Sequence, residues 1–269
     1  MQQNKLYDVI ILGASDQGLA LAEALEVSCT TALVSTNFNH KLKKQLLTAT
    51  DLIQGTAIYL SYMRGLFVLS LENHETVVGK NLVIATGTKP NKAALKNQNI
   101  KYNISEITEK NKVAQAVVYG HDELAVQYSI RLAKLFKYVY LCSDTFDLAC
   151  SKRSKRQLND LVNVVHLPKC KIVACKNDTR GQLIEITLDT YDTIKTSNLV
   201  MSIGRQPDLP SFLAQYIKVD SEGYVITKEY LESTLVPKVY AIGGLHKKPT
   251  KKSLTALANK LKEEITNAG

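Results

Sequence analysis

The sequence predicts an α/β protein with two three-layer domains, each a parallel sheet covered by helices. The prediction rests on two observations. Between Asp8 and Leu25, an apolar run, a glycine-bounded turn and an amphipathic helix follow one another with no spare residue. Between Val113 and Asp144, the same order of strand, turn, helix and strand occurs again. One such unit is common, whereas two in the same order indicate a duplicated, Rossmann-like architecture.

The first turn, from Gly13 to Gly18, predicts a nucleotide-binding site. In a dinucleotide fold the first glycine makes the tight turn, the second lets the backbone approach a pyrophosphate, and the third lets helix pack on strand. Gly13 and Gly18 hold the first and third positions here, and Ser15 replaces the middle glycine. The serine side chain takes room from a diphosphate, although its hydroxyl can donate to a phosphate oxygen. Backbone amides at the helix N-terminus offer an anion site that does not depend on Ser15.

Short apolar runs predict the other strands of the first half. A second buried strand spans Thr31 to Val34, and Ser35 stands at its end, where a dinucleotide fold places an acidic ribose ligand. The stretch from Leu46 to Ile53 is predicted as a short helix or loop. Asn81 to Ala85 is predicted as a separate strand. Between these stretches lie three runs that predict a β-meander, at residues 55–62, 65–71 and 75–78.

The second half repeats the unit. A strand from Ala114 to Tyr119 leads through the Gly120 turn into a helix from Glu123 to Leu135, and Asp122 stands where the middle glycine is expected. A strand from Tyr138 to Cys142 follows. The remaining predicted elements are strands at residues 159–165, 171–176, 183–189, 199–203, 224–227 and 239–242, a hairpin turn at 177–181, and a terminal helix over 253–265 capped by Ser253.

Length and composition exclude several protein classes. The 269 residues, 45% hydrophobic and 22% charged, suit two compact domains. No apolar run approaches the roughly 18 residues of a membrane span, and no signal-peptide core precedes the first strand, so a cytoplasmic protein is expected. The five cysteines contain no C-x-x-C pair, which fits reduced thiols and argues against a structural zinc or an adjacent redox disulfide.

The charge balance bears on partners. A net charge of +9 favours an anionic partner, and we expect a small-molecule nucleotide, with an acidic protein acceptor and a homodimer as further interpretations. No nucleic-acid motif accompanies the basic charge, so nucleic acid is not expected. The sequence has no Ser-His-Asp arrangement, no metal-ligand spacing and no paired carboxylates. No catalytic side chain and no metal ligand are therefore predicted.

Five short motifs occur in a fixed order along the chain. They are Gly13 to Gly18, Val83 to Gly87, the Gly120 turn, Ile203 to Pro207, and Thr234 to Gly243. This order resembles the FAD- and pyridine-nucleotide-dependent disulfide oxidoreductases, and within them the thioredoxin reductase branch. The resemblance implies an FAD-binding domain made from residues 1–111 and 206–269. It also implies an NAD(P)-binding domain, residues 112–205, inserted in the first.

The resemblance further implies which residues contact the cofactors. The FAD diphosphate is expected at the first turn, the flavin beside Thr86 and Gly87, and the final helix as a cap over the flavin. The implied cofactor-binding residues are Gly13, Ala14, Ser15, Gln17, Gly18, Ser35, Ala85, Thr86, Gly87, Gly120, Gly204, Gly243 and Gly244.

The chain departs from the family pattern at several positions. The redox C-x-x-C is missing, because neither Asn103 to Lys112 nor the helix region after the second strand contains a cysteine. Ser35 and Gly244 replace acidic residues of the FAD site. In the second turn Asp122 puts a carboxylate beside a pyrophosphate, and Asp144 stands where basic residues bind the 2′-phosphate of NADPH. Both are unfavourable for NAD(P)H, and Asp144 disfavours NADPH relative to NADH.

Three functions follow from these observations. The first is an FAD-dependent NAD(P)H oxidoreductase that moves electrons from a nicotinamide nucleotide to an acceptor other than a dithiol. The second is a non-catalytic relative whose altered cofactor sites make it a scaffold for a nucleotide or a partner protein. The third, disulfide reduction by distant cysteines, requires Cys142, Cys150, Cys170 or Cys175.

Overall fold

The computed structural model describes residues 5–26, 28–38, 50–95, 97, 99–107, 115–247 and 251–266. The chain divides into two compact units, unit 1 with residues 1–89 and 206–269, and unit 2 with residues 90–205. Unit 2 thus begins at Pro90, earlier than the residue 112 expected from the sequence. One reason is that the backbone amide of Lys101 donates to the Leu199 carbonyl (3.0 Å), which joins this stretch to the unit 2 sheet.

Unit 1 is organised on one seven-stranded sheet. Its strands are β1 (Leu6–Leu12), β2 (Thr31–Ser35), β3 (Thr50–Gln54), β4 (Ala57–Met63), β5 (Leu66–Leu71), β6 (Thr76–Ile84) and β18 (Val239–Ala241). The order is β3-β2-β1-β6-β5-β4, and β18 also pairs with β6. Strands β4 and β5 are antiparallel to their neighbours, whereas β1, β2, β3 and β18 pair in parallel.

The nine-residue strand β6 belongs to both parts of this sheet. Thr76 to Gly79 pair antiparallel with β5, and Leu82 to Ile84 pair parallel with β1 and β18. The prediction of two separate strands here, at residues 75–78 and 81–85, is wrong, because the polar residues at their junction bond to Asp8 of β1. Lys80 forms an ion pair with Asp8 (2.9 Å), and the Asn81 side chain donates to the Asp8 carbonyl (3.0 Å).

Both faces of the unit 1 sheet are covered. Helices α1 (Asp16–Leu25) and α4 (Lys251–Thr266) pack on one face, against Val9 and Ile11 of β1. On the other face Ile10 and Leu12 belong to a cluster that includes side chains of the meander. Because successive side chains of β1 enter opposite layers, its apolar run is continuous, as expected for a buried parallel strand.

Unit 2 has three layers of its own. Its parallel strands, in the order β10-β9-β8-β14, are β8 (Gln115–Tyr119), β9 (Tyr138–Cys142), β10 (Val164–Leu167) and β14 (Leu199–Met201). Helices α2 (Glu123–Leu132) and α3 (Lys152–Asn159) cover one face. An antiparallel sheet of β11 (Ile172–Asn177), β12 (Leu183–Leu188) and β13 (Ile194–Lys195) covers the other. The predicted α/β fold with two Rossmann-like three-layer domains is confirmed.

The remaining elements are short. They are strands β7 (Thr88–Pro90), β15 (Arg205–Pro207), β16 (Lys218–Val219) and β17 (Val225–Ile226), and 3₁₀ turns at Ile104–Glu106, Ser211–Leu213, Glu229–Leu231 and Gly243–Leu245.

Three local predictions are wrong. Residues 50–54 form strand β3 rather than a helix or loop, with Leu52 and Ile53 packed on opposite faces of the sheet, and residues 46–49 lie outside the described part of the chain. Residue 159 ends α3 instead of starting a strand, because Leu158 is buried as part of that helix. The terminal helix begins at Lys251, so Ser253 lies inside it and is not its N-cap. Lysine is a good helix former, which favours the earlier start.

Candidate functional site

Two glycines give the first turn its geometry. Gly13 has φ of +108°, and a β-carbon built there would lie 2.5 Å from the Ala85 carbonyl oxygen. A β-carbon on Gly18 would lie 2.5 Å from the Gly13 carbonyl oxygen and 2.9 Å from the Ala85 β-carbon. Neither position accepts a side chain without a shift of the backbone. The turn therefore holds the start of α1 tightly against the ends of β1 and β6.

Ser15 is the N-cap of α1. Its Oγ accepts a hydrogen bond from the Gly18 amide (3.3 Å), and its own carbonyl accepts one from Leu19 (2.9 Å). The hydroxyl thus acts as an acceptor toward the helix, and its hydrogen is left to donate elsewhere. The amides of Asp16 and Gln17 have no i−4 acceptor inside the helix and lie at its positive end. These two amides are the donors on which the predicted anion site depends.

A cleft of about 350 Å³ opens beside this turn. It is lined by Leu12, Gly13, Ala14, Ser15, Val34, Ser35, Thr36, Gly55, Thr56, Ala57, Thr86, Asp208 and Pro210. All of these residues belong to unit 1. The cleft lies at the carboxyl ends of β1, β2 and β3, where open parallel sheets bind their ligands.

Thr86 supplies a polar atom without a partner. Its Oγ1 is buried, and among the described residues it has no hydrogen-bond partner. Of the buried side-chain oxygens and nitrogens without a partner in the described part of the chain, this is the one that lines the cleft. An unsatisfied buried hydroxyl costs about 1–3 kcal/mol, and a ligand acceptor removes that cost. Thr86 therefore fits a nucleotide bound in this cleft.

The Ser35 side chain, at the end of β2, is a weak ligand for a ribose. The Ser35 hydroxyl donates to the Asn37 carbonyl (3.1 Å) and so is engaged by its own chain. The next residue, Thr36, has its carbonyl bonded by the Gln54 side chain (3.3 Å). This end of the cleft presents hydroxyls and backbone rather than the carboxylate that binds ribose strongly in dinucleotide folds.

Three further predicted glycines lie close to α1 or β7. Gly87 has φ of +75°, and a β-carbon there would lie 3.6 Å from that of Ser15. Gly243 has φ of +74° and faces the Gln17 side chain, with a β-carbon 3.6 Å from that of Gln17. A β-carbon on Gly244 would lie 2.7 Å from Thr88 Cγ2. A larger residue at position 244 therefore requires the Thr88 side chain to move.

The second turn is built differently. Gly120 has φ of +153°, and a β-carbon there would overlap the Ser202 carbonyl oxygen, so this glycine is required by close approach. Asp122 is the N-cap of α2, and its Oδ1 accepts from the Ala125 amide (2.8 Å) and from Ser202 Oγ (2.9 Å). The carboxylate that the sequence places at the middle-glycine position is therefore seated on the helix N-terminus.

Glu123 holds the N-terminus of the neighbouring helix. Its carboxylate accepts from Ser154 Oγ, from the Ser151 amide (2.6 Å) and from the Gln127 side chain (3.1 Å). The hydrogen bond from Ser154 and the other two lower the pKa of Glu123 to about 2. The group therefore stays ionised over the physiological range, and it joins α2 to the start of α3.

A smaller cleft of about 250 Å³ lies beside the second turn. It is lined by Tyr119, Gly120, His121, Asp122, Asp144, Ser202, Ile203 and Gly204, all in unit 2. The Asp144 carboxylate lies 3.3 Å from His121 Nδ1. Burial, with a smaller contribution from Asp144, raises the pKa of Tyr119 to about 12, so its hydroxyl stays neutral. Gly204 has φ of +87° and adjoins Asn91, whose Nδ2 donates to the Ile203 carbonyl (3.1 Å).

The predicted site residues thus fall into separate groups. The unit 1 cleft brings together Gly13, Ala14, Ser15, Ser35 and Thr86, whereas Gln17, Gly18, Ala85, Gly87, Gly243 and Gly244 do not line it. Gly120 and Gly204 line the unit 2 cleft. The sequence missed Thr36, Asp208 and the stretch from Gly55 to Ala57. That stretch directly follows β3, so predicting β3 as a parallel strand would have placed it at the same sheet edge.

Two of the five cysteines, Cys142 and Cys170, lie side by side with hydrogen-bonded thiols, but both are fully buried. All five are free, and Cys29, Cys142 and Cys170 are buried. Burial raises the pKa of the Cys29 thiol to about 11 and also raises that of Cys150 and Cys175, which disfavours the reactive thiolate. Among the described residues no group of three or more His, Cys, Asp or Glu side chains is placed to hold a metal ion. The helices in that part of the chain include none long and apolar enough to cross a bilayer.

Each unit places a glycine turn between a parallel strand and a helix, the arrangement typical of dinucleotide-binding folds. The model of the pyridine nucleotide-disulphide oxidoreductase family matches residues 32–260. The chain belongs to this family, whose members bind FAD and NAD(P)H.

Its relatives are thioredoxin reductases. The chain is 27% identical to the thioredoxin reductase of Borreliella burgdorferi over 209 residues, covering 72% of this chain and 61% of the relative. It is 28% identical to that of Chlamydia trachomatis over 144 residues, covering 52% and 45%. The chain thus spans roughly half to three fifths of the length of these relatives.

Solved thioredoxin reductases share the fold. The Lactococcus lactis enzyme in its FR conformation matches with a TM-score of 0.81 at 14% identity, covering 97% of this chain and 98% of that one. The T. acidophilum enzyme matches with a TM-score of 0.83 at 15% identity, covering 98% and 99%. At this level of identity the likeness concerns the fold alone.

Proposed function

We propose that the chain is a thioredoxin reductase-like flavoprotein that uses FAD to move electrons from a nicotinamide nucleotide to an acceptor other than a dithiol. The observation that carries the proposal is the buried, unpartnered Thr86 hydroxyl in the unit 1 cleft. Membership of an FAD-binding family supports it.

The residues of unit 1 fit FAD. The amides of Asp16 and Gln17, with the Ser15 hydroxyl, would hold the diphosphate at the positive end of α1. Ser35 and Thr36 stand at the end of β2, where a ribose belongs. Thr86, Gly87, Gly243 and Gly244 are assigned to the flavin side. Bound there, FAD supplies two-electron acceptance from a reduced nicotinamide and delivery to the acceptor, while the chain binds, orients and shields it.

A non-dithiol acceptor follows from the thiols. The sequence has no C-x-x-C pair, the adjacent thiols of Cys142 and Cys170 are fully buried, and burial raises the pKa of Cys29, Cys150 and Cys175. Dithiol exchange with a partner needs an accessible thiolate nucleophile with a second thiol beside it. An acidic protein is the acceptor class that we propose, because the net charge of +9 attracts it. We also propose a cytoplasmic location, since free thiols suit a reducing compartment, and a homodimer.

The test is spectroscopic and kinetic. Purified protein, as isolated and after incubation with FAD, is passed through a desalting column, and its flavin absorbance is recorded. We expect a flavin band that co-elutes with protein and bleaches when NADH or NADPH is added without oxygen. A dye acceptor then restores the band. Protein that retains no flavin from a solution of FAD contradicts the proposal.

A second candidate function is a scaffold that binds a nucleotide without turnover. The glycine at position 244 favours it, because the acidic residue that the family pattern places beside the flavin is missing from this position. A scaffold retains ADP or FAD but shows neither bleaching by NAD(P)H nor dye reduction.

A further inference from the structure

The N-terminus of α2 is where a dinucleotide fold takes a pyrophosphate, and in unit 2 the chain's own carboxylate sits there. Asp122 Oδ1 accepts from the Ala125 amide (2.8 Å) and from Ser202 Oγ (2.9 Å). The His121 carbonyl beside it accepts from the Ala149 amide (2.7 Å), which ties the turn to the segment before α3. A negatively charged group of the protein therefore already stands at this helix N-terminus.

The turn of unit 1 provides an internal comparison. Ser15 caps α1 from the same position of its motif and is neutral, whereas Asp122 caps α2 and is a carboxylate. Both side chains satisfy an amide of the first helical turn. The difference between the two turns is thus charge rather than backbone geometry.

Other charges around the second turn add to this effect. Asp144 lines the same cleft, and Glu123 directly follows Asp122. Hydrogen bonds from Ser154, Ser151 and Gln127 hold the pKa of Glu123 at about 2, so this carboxyl is ionised. His121 is the one basic residue that lines the cleft, and its Nδ1 lies 3.3 Å from Asp144. A pyrophosphate entering here meets negative charge, and the described residues that line the cleft include no lysine or arginine.

We infer that unit 2 excludes the pyrophosphate of NAD(P)H. This inference rests on the proposed function, in which a nicotinamide nucleotide donates electrons. The adenosine diphosphate half of that donor therefore does not contribute to its binding. The chain keeps the fold of a nicotinamide-nucleotide domain while its pyrophosphate turn is closed by Asp122.

The first test measures binding and needs no turnover. NADH is titrated by calorimetry into FAD-treated wild type, Asp122→Asn, Asp122→Ser and a control, Asp178→Ser, which removes a unit 2 carboxylate from the hairpin turn. Asparagine and serine are good N-caps, so both Asp122 variants retain the cap and lose the charge. Thermal unfolding of each protein shows whether it is folded. Because unit 1 is the same in all four proteins, differences between them report unit 2 whether or not FAD is bound.

We expect NADH to bind both Asp122 variants at least tenfold more tightly than wild type, and Asp178→Ser to behave as wild type. Wild type that binds NADH as tightly as folded Asp122→Asn overturns the inference. An equal gain in Asp178→Ser overturns it too, since the effect is then one of net charge.

The second test compares donors on flavin-loaded protein. Wild type is expected to oxidise NADH no faster than the same concentration of reduced nicotinamide mononucleotide, which lacks the adenosine half. Asp122→Asn is expected to oxidise NADH faster than wild type does, and to oxidise reduced nicotinamide mononucleotide at the wild-type rate. Faster oxidation of NADH by wild type contradicts the inference. Loss of turnover with both donors instead contradicts the proposed function and leaves the calorimetric result to decide the inference.

Discussion

Ser15 and Asp122 occupy the same place in two copies of one motif, and each caps the helix that follows it. The sequence predicted both departures from glycine, and it predicted that a carboxylate opposes a pyrophosphate. It did not predict that either side chain is a cap, because capping depends on the backbone geometry of the residue as well as on its type. The partner that fixes Asp122, Ser202, lies eighty positions along the chain, directly before the motif from Ile203 to Pro207, and nothing in that motif pairs it with Asp122.

Thr86 offers a direct test of the unit 1 cleft. Thr86→Val keeps the shape of the side chain and removes the buried hydroxyl. The free energy of unfolding of the apo protein is expected to be unchanged or higher by about 1 kcal/mol, because an unsatisfied polar atom has been removed. FAD affinity is expected to fall by roughly 5–10-fold, because a hydrogen bond to the ligand is lost. Equilibrium urea unfolding and flavin titration measure the two effects. Unaltered FAD affinity in this variant means that Thr86 does not contact the ligand.

Gly13 tests the close approach at the first turn. Gly13→Ala and Gly65→Ala both place a side chain at positive φ, but only Gly13 has the Ala85 carbonyl 2.5 Å from the added carbon, whereas Gly65 has open space. Positive φ alone costs about 1–2 kcal/mol, and overpacking adds about 1–3 kcal/mol more. The urea midpoint should therefore be highest for wild type, lower for Gly65→Ala and lowest for Gly13→Ala. Equal losses in the two variants would show that the contact with Ala85 relaxes freely.

At the level of strands and helices, elements with a single clear periodicity were predicted well. Strands β8 and β9 fall within a residue of their expected bounds, and β1 and α1 occupy the predicted Asp8 to Leu25 stretch, with β1 starting earlier, at Leu6. The errors came where one element serves two environments. Strand β6 was split because Gly79 and Lys80 interrupt its apolar pattern, although Lys80 is paired with Asp8 of β1. Strand β3 was missed because the four residues before it gave no strand signal. The residues after β3 that extend the cleft were missed for the same reason.

Glu123 gives a pH prediction for the α2 and α3 pair. Its pKa in the folded chain, about 2, lies below the ordinary 4.5, so the carboxylate stabilises the fold above pH 4.5. That contribution is lost as the pH falls from about 5 to about 2. The difference in urea midpoint between wild type and Glu123→Gln should therefore shrink over this range. Glu263→Gln, at an exposed position of α4, serves as the control. A difference that is constant from pH 7 to pH 3 contradicts the assigned role of Glu123.

Over the whole chain, the fold is that of the family, while single residues at the two nucleotide turns differ from the family pattern. The order and spacing of five short motifs were enough to predict two Rossmann-like domains, because a buried parallel strand followed by a tight turn and a helix leaves few alternatives. Site chemistry was less predictable, since single residues such as Ser15, Asp122 and Gly244 decide it without altering the fold. In our account unit 1 still takes a nucleotide, and unit 2 has closed its pyrophosphate turn.

The measurement that tests this account most directly is the flavin retained by wild type and by Ser15→Asp after incubation with FAD and desalting. The variant gives unit 1 the cap of unit 2, and aspartate also caps helices well, so the fold should persist. A carboxylate near a diphosphate costs on the order of 1–4 kcal/mol at about 4 Å, depending on solvent exposure. We predict that wild type retains flavin and that folded Ser15→Asp loses at least tenfold in FAD affinity. Equal retention by the two proteins, or none by wild type, would contradict the account.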